Sequence, residues 1–241
     1  MVDRLLGEIK GFFDLLFPPA CPLCHCTLQP GTTLPFCPSC SAEINPLPAG
    51  CCSRCALPFS AENSSAHLCE PCSRSLPPYL SVHSVGIYDA GLRKAVHHFK
   101  YEGGHYLDRD LGALLGHELE DIPAPDLIVP VPLHASRLRE RTYNQSILLA
   151  HELGKQISRP VVTTLLSRVR NTPQQQGLRA KERTKNLRGA FACHQSVRGK
   201  HVLLVDDVMT TGATATACSQ ALLDSGAAEV RVAVVGRAGR G

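Results

Sequence analysis

The sequence predicts an α/β domain built on a largely parallel sheet, preceded by a separate, small, cysteine-rich module. Three observations carry that prediction. From Val82 onward, short apolar runs alternate with helical patterns, the arrangement that yields a parallel sheet with helices on its faces. Ten of the twelve cysteines fall between Cys21 and Cys72, so the first third of the chain has a composition of its own. Finally, the apolar run Val202 to Val205 leads into two adjacent acids, Asp206 and Asp207, then into a loop of small and hydroxyl residues from Thr210 to Thr214, and then into a helix. A chain of 241 residues accommodates one large or two modest domains.

Residues 1–19, MVDRLLGEIKGFFDLLFPP, are apolar but interrupted by Asp3, Glu8 and Asp14. Leu5, Leu6, Ile9, Phe12, Phe13 and Leu16 follow helical spacing, which predicts a short amphipathic helix that docks on the protein itself, with weak contact to a membrane surface or a partner as the second reading. The run is neither a signal peptide nor a transmembrane span. The expected location is cytoplasmic, with the inner face of the membrane as the variant that the helix suggests.

Residues 20–75 contain four CxxC pairs: Cys21 and Cys24, Cys37 and Cys40, Cys52 and Cys55, Cys69 and Cys72. Twelve residues separate the pairs in the first half and thirteen in the second, so the segment is an internal repeat. Each half supplies the two knuckles of a zinc ribbon, because four thiolates complete a tetrahedral, closed and therefore structural site. The stretch from Cys21 to Cys72 holds only nine large apolar side chains against eight prolines, too small a core to order some fifty residues unaided. Structural zinc contributes on the order of 10–16 kcal/mol in small peptides and closes that gap. Disulfides are the competing reading, disfavoured where no export signal accompanies them. Cys26 and Cys51 are surplus to a four-plus-four scheme, His25 and His67 lie close enough to compete, and spacing leaves open whether the halves ligate separately or cross over.

The second domain is expected over residues 79–241, after the boundary at SLPP. Its elements read as a strand over Val82 to Tyr88, a helix over Gly91 to Lys100, a turn at Gly103 and Gly104, and a helix over about Leu111 to Asp121. A buried-type strand follows in Asp126 to Leu133, then a helix over Asn144 to Ile157 and a strand over Val161 to Leu166. The last strands are Val202 to Val205 and Val230 to Val235, with a helix starting near Ala215 between them and Gly226 as its stop. Ligands of such a sheet gather at the carboxyl ends of the strands, where the Asp206 motif sits.

Charge is unevenly spread. Residues 137–200 carry 14 Lys and Arg against 3 acids, whereas the whole chain nets only +4. Such a tract attracts phosphates, whether of a small substrate or of a nucleic acid. His134, Arg137, Arg139 and Arg141 after the strand ending near Val131 are the nearest source of charge for a diphosphate. The linker from Ser167 to Gly189 is the one candidate for a gripping lid or a nucleic-acid tract, and no segment names an acceptor.

A strand-to-helix junction collects free N–H groups and the positive end of a helix dipole, which welcomes an anion. Paired acids beside an anion site serve another part of the same ligand, and sugar hydroxyls or a divalent cation are the natural candidates. The run DDVMTTGAT resembles the phosphoribosyl-diphosphate (PRPP) loop of type I phosphoribosyltransferases. That resemblance implies a type I phosphoribosyltransferase-like sheet, ribose hydroxyls on Asp206 and Asp207, which any catalysis would also require, and the 5′-phosphate on Thr210, Thr211, Gly212, Ala213 and Thr214. It also implies Mg²⁺ with the PRPP.

Two further stretches, Val129 to Ala150 and Arg170 to Phe191, together with Lys100 and Tyr101 in HHFKYEGG, resemble the ComF family, in which a double zinc ribbon precedes a phosphoribosyltransferase-type domain. The resemblance implies involvement in the uptake of single-stranded DNA during natural transformation, beside a competence DNA helicase. An active, Mg²⁺-dependent phosphoribosyltransferase acting on an unidentified amine, base or nucleotide is the alternative it leaves.

Overall fold

A computed structural model describes the chain apart from residues 1–19, 29–35, 60–64, 102–105, 134–137, 139–142, 171–186, 188 and 240–241. The N-terminal helix, the Gly103 turn, the basic loop of His134, Arg137, Arg139 and Arg141, and most of the Ser167 to Gly189 linker therefore lie outside the described residues.

The main sheet has four parallel strands in the order β1-β6-β5-β2: β1 is Val82–Ile87, β2 Leu127–Pro130, β5 His201–Met209 and β6 Glu229–Arg237. Apolar residues run almost unbroken through its two central strands because both faces are covered. On β5 the alternation is direct: Val202 and Leu204 join one core, Leu203 and Val205 the other. Helices α3 (Ala90–Tyr101), α4 (Leu107–His117) and α5 (Gln145–Gln156) cover the second face, and α6 (Ala213–Asp224) covers the first.

The cysteine-rich segment forms two copies of one unit. Bridges Ala20↔Thr27 and Cys51↔Pro58 close the first knuckle of each copy, and the short helices α1 (Pro38–Ala42) and α2 (Glu70–Arg74) follow the second, each with proline in its first turn. His25 and Ala56 occupy equivalent positive-φ positions, at 59° and 52°. The copies pack on opposite faces of the sheet: Cys21, Cys37 and Cys40 belong to the core with α3, α4 and α5, and Cys52, Cys55, Cys69 and Cys72 to the core with α6.

Several boundaries differ from the sequence expectation. Helix α4 starts four residues earlier than its apolar pattern suggests, because Leu107 adds a buried turn beneath Leu111 and Leu115, while residues beyond His117 turn away. The strand expected over Val161 to Leu166 does not form. Val161 makes a single bridge to Ile128, and the chain then turns into β3 (Leu166–Arg168), which pairs antiparallel with β4 (Phe191–Cys193) in a separate two-stranded sheet. Strand β5 continues four residues past Val205, because β6 keeps supplying partners through Asp206↔Val234, Val208↔Gly236 and Met209↔Arg237. Asp206 and Asp207 thus sit within a strand, and Ala213 and Thr214 within a helix.

Candidate functional site

The loop between β5 and α6 is only Thr210 to Gly212. Gly212 is the N-cap of α6 at φ 79°, a conformation that favours glycine, and a Cβ there would meet Met209 Cε at 2.6 Å and the Tyr79 hydroxyl at 3.2 Å. Lacking a side chain, Gly212 cannot cap the helix. The first-turn amides face the loop, with the Ala213 N–H held by Thr211 Oγ1 only at a long 3.4 Å. A concavity of about 80 Å³ is lined by Asp206, Val208 to Ala215 and Val234. It therefore brings Thr210, Thr211, Gly212, Ala213 and Thr214 together with Asp206, as their order along the chain suggests.

The acids are held by residues from other elements. Ser146, buried at the start of α5, donates its hydroxyl to Asp206 Oδ1 at 3.0 Å, and the Asp207 N–H donates to the same oxygen at 2.9 Å. Asn144 Oδ1 caps α5 by accepting the Ser146 N–H at 3.0 Å, and its amide donates to the Val131 carbonyl at 3.0 Å, which fixes the start of α5 to the end of β2. Lys100, in the last turn of α3, places Nζ 2.9 Å from Asp207 Oδ2, both side chains being mostly buried. Burial pushes the Asp206 carboxyl up to about 7, and the neighbouring Asp207 charge adds to that shift, outweighing Lys100, Ser146 and the Asp207 N–H. One acid is thus neutralised by an ammonium, and the other is close to sharing its proton with solvent at neutral pH.

Lys100 and Ser146 are site residues that spacing alone does not identify, since they stand 107 and 60 positions from their carboxylate partners. Both lie in stretches that carry the family resemblance, the only sequence signal for them. Larger hollows among the described residues, of about 530, 480 and 450 Å³, lie away from this site: one beside Phe59 and His67, one beside His194 and Arg198, and one beside Arg93 and His97. The first is bordered by Glu70 at the start of the five-residue α2, but none of them is lined by Asp206 or by the loop from Thr210 to Thr214.

The eight paired cysteines gather as two clusters, Cys21, Cys24, Cys37 and Cys40 in one and Cys52, Cys55, Cys69 and Cys72 in the other, with each cluster's sulfurs all within 4.8 Å of one another. Each half of the repeat therefore collects its own four thiols, without crossing over. The described cysteines are all free thiols, contrary to the disulfide reading. Four sulfurs about 2.3 Å from one zinc ion at tetrahedral angles stand roughly 3.8 Å apart. Cys24 to Cys37 and Cys55 to Cys69, at 3.6 and 3.7 Å, fit that edge. Backbone N–H groups already point at sulfur in equivalent places: Cys37 to Cys21 Sγ at 3.4 Å and Cys69 to Cys52 Sγ at 3.3 Å. Burial raises the Cys52 thiol, but the N–H groups of Cys69, Cys55 and Arg54 outweigh it and bring it down to about 6, toward the thiolate that zinc requires. Surplus Cys26 lies 3.3 Å from Cys24 Sγ at the position that Leu57 takes in the second copy.

These features set the class: a double zinc ribbon joined to a phosphoribosyltransferase-type domain. Comparison with known proteins agrees, since the double zinc ribbon domain matches residues 12–73 and the phosphoribosyl transferase domain residues 144–241. DNA utilization protein YhgH of Salmonella typhi is 36% identical over 190 residues, 75% of this chain and 81% of that protein. Competence protein F of Haemophilus influenzae is 32% identical over 212 residues, 84% of this chain and 90% of that protein. The chain belongs to the ComF family, and its zinc is structural. Among solved structures, the glutamine PRPP amidotransferase from B. subtilis complexed with ADP and GMP aligns over 54% of this chain and 26% of its own, at 24% identity and a TM-score of 0.37. Among the described residues no helix is long and apolar enough to cross a membrane.

Proposed function

We propose that the chain binds PRPP at the end of β5 and serves the uptake of single-stranded DNA. The observation that carries the first half is the concavity at the end of β5, where Asp206, with Asp207 next to it in the strand, meets a threonine-lined helix start that has no side-chain cap. Asp206 and Asp207 accept the ribose 2′ and 3′ hydroxyls, and Thr210, Thr211, Gly212, Ala213 and Thr214 surround the 5′-phosphate, which gains from N–H groups and the dipole of the 12-residue α6. Lys100 shields Asp207 from its neighbour until the hydroxyls arrive. Mg²⁺ accompanies the diphosphate and neutralises its charge. We assign residues 20–75 to the ribbons, with Cys21, Cys24, Cys37 and Cys40 holding one zinc and Cys52, Cys55, Cys69 and Cys72 the other, and residues 79–241 to the PRPP-binding domain.

The DNA half rests on relatives named Competence protein F and DNA utilization protein, together with the basic tract over 137–200. With few aromatics and no Trp, contact to a strand relies on phosphates, so binding weakens steeply with salt. A competence DNA helicase is the protein partner this reading calls for, and the cytoplasm, at the inner face of the membrane, the place. One observation favours a second reading, an active phosphoribosyltransferase: a carboxyl pushed up to about 7 is suited to take a proton from an incoming amine, base or nucleotide.

Titration of the zinc-loaded protein with PRPP and Mg²⁺, with and without an oligonucleotide, tests both readings when binding and pyrophosphate are followed together. Binding that disappears in the Asp206→Asn, Asp207→Asn double variant supports the site, and unchanged affinity overturns it. Pyrophosphate release that depends on an added acceptor supports catalysis. Oligonucleotide affinity indifferent to salt removes the nucleic-acid half.

A further inference from the structure

Arg237 is an arginine buried to 3% exposure at the last position of β6, and it is itself neither a zinc ligand nor a partner of Asp206 or Asp207 among the described contacts. An arginine cannot shed its charge, so its guanidinium must be satisfied where it lies. Among the described residues, the acceptors it finds are backbone carbonyls and a sulfur. Nε donates to the Cys55 carbonyl at 2.7 Å, and Nη2 stands 3.8 Å from Cys55 Sγ. Nη1 donates to the carbonyls of Met209 at 3.1 Å, Thr210 at 2.5 Å and Ala238 at 2.7 Å. One planar group therefore joins a cysteine of the second zinc cluster to the two residues that enter the phosphate loop.

A second contact runs the same way without Arg237. Tyr79 is buried at 2% exposure in one core with Cys55, Cys72, Met209 and Ala213, and its hydroxyl stands 3.2 Å from the place a Gly212 Cβ would occupy. Among the described residues the first cluster shows no such link: Cys21, Cys37 and Cys40 belong to the opposite core, with α3 and α4, and Met209, at the end of β5, is not among that core's members.

We propose that Arg237 is a positioning residue that couples the second zinc site to the phosphate loop, so that zinc on Cys52, Cys55, Cys69 and Cys72 and an anion on Thr210 to Thr214 stabilise one another, while the first zinc site is independent. The proposal rests on the reading of that loop as a phosphate site. Zinc fixes the Cys55 backbone; the guanidinium transmits that position to the Met209 and Thr210 carbonyls; the loop is thereby held open at the geometry its ligand needs. Linkage makes the effect reciprocal in affinity, so bound PRPP must tighten zinc at the second site, a gain expected in the rate at which the metal leaves.

The test measures chelator-driven zinc release from the zinc-loaded protein, with the two release phases assigned through Cys40→Ser and Cys72→Ser variants. Saturating PRPP with Mg²⁺ is expected to slow release from the second site by about fivefold, the low end of ordinary coupling, and to leave the first unchanged. In Arg237→Lys, which keeps the charge but loses the planar fork, the second site should release zinc at a rate independent of PRPP. Equal slowing at both sites, or slowing that survives Arg237→Lys, overturns the coupling.

Hydrogen exchange without PRPP separates this inference from the reading beneath it. If wild type binds no PRPP, the phosphate assignment fails, and the mechanical link is still decided by the amides of residues 209–214. They should exchange about tenfold faster in Arg237→Lys than in wild type, with α3 unchanged. Should Arg237→Lys not fold, the Cys72→Ser and Cys40→Ser pair decides: loosening of 209–214 in the first and not the second is expected, and loosening in both or neither overturns the link.

Discussion

Asp206 and Asp207 are adjacent in sequence yet differ in electrostatic state. Lys100 neutralises Asp207, whereas burial and the Asp207 charge hold Asp206 up to about 7. Because that value lies above the ordinary carboxylate range, the proton stabilises the folded state. This contribution is fully present below about pH 4 and is lost as pH rises through about 7. Asp206→Asn should therefore raise the melting temperature at pH 8 but not at pH 4, while abolishing PRPP binding; a scan of thermal unfolding against pH reads the first and calorimetric titration the second. PRPP affinity should fall as pH drops through 7, and in Asp207→Asn, where the neighbouring charge is gone, the fall should move to lower pH. Lys100→Met leaves Asp207 mostly buried and unpaired, and its cost in urea unfolding should be roughly 1–3 kcal/mol, between the exposed and fully buried limits. The acids and the threonine loop were legible in the sequence because they are consecutive. Lys100 and Ser146 were not, since each reaches its carboxylate only after separate helices have packed on the sheet.

At the scale of elements, the β5–loop–α6 unit shows what local pattern can and cannot tell. Apolar periodicity ends at Val205, so the strand reads as ending there, but hydrogen bonding to β6 carries it to Met209. Pairing with a neighbour, not hydrophobicity, sets its length. Shortening the loop to Thr210 to Gly212 concentrates the turn on one residue at φ 79°. Gly212→Ala should thus cost about 1–2 kcal/mol from backbone strain alone, with more from the clash against Met209, and should weaken PRPP binding beyond its effect on stability. Urea unfolding and PRPP titration on the same variant separate the two. The strand expected at Val161 to Leu166 failed for the converse reason: its apolar residues serve two different sheets, Val161 beside Ile128 and Leu166 opposite Cys193.

Across the whole molecule the zinc ribbons are not appendages. Seven of their eight paired cysteines, all but the exposed Cys24, are members of the two cores that flank the sheet, and the first copy also docks through backbone, Asn45 accepting the Ile87 N–H at 2.8 Å and Glu43 the Gly91 N–H at 3.1 Å. Removing zinc should therefore lower the stability of the entire chain in one transition rather than melt an independent module. Calorimetry with and without chelator checks this, and two separate transitions in the zinc-loaded protein would contradict it. What the sequence by itself determined are the features written in consecutive residues: four CxxC pairs, an apolar strand ending in two acids, a threonine-glycine turn, and the alternation that makes a parallel sheet. Only the tertiary structure decided that each ribbon half gathers its own thiols, that the ribbons lie on opposite faces, that Lys100 and Ser146 divide the two acids between them, and that Arg237 lies between Cys55 and the loop. The contacts of Ser146 with Asp206, Lys100 with Asp207 and Arg237 with Cys55 join residues 60, 107 and 182 positions apart, and no local spacing encodes a partner that arrives only when the sheet closes.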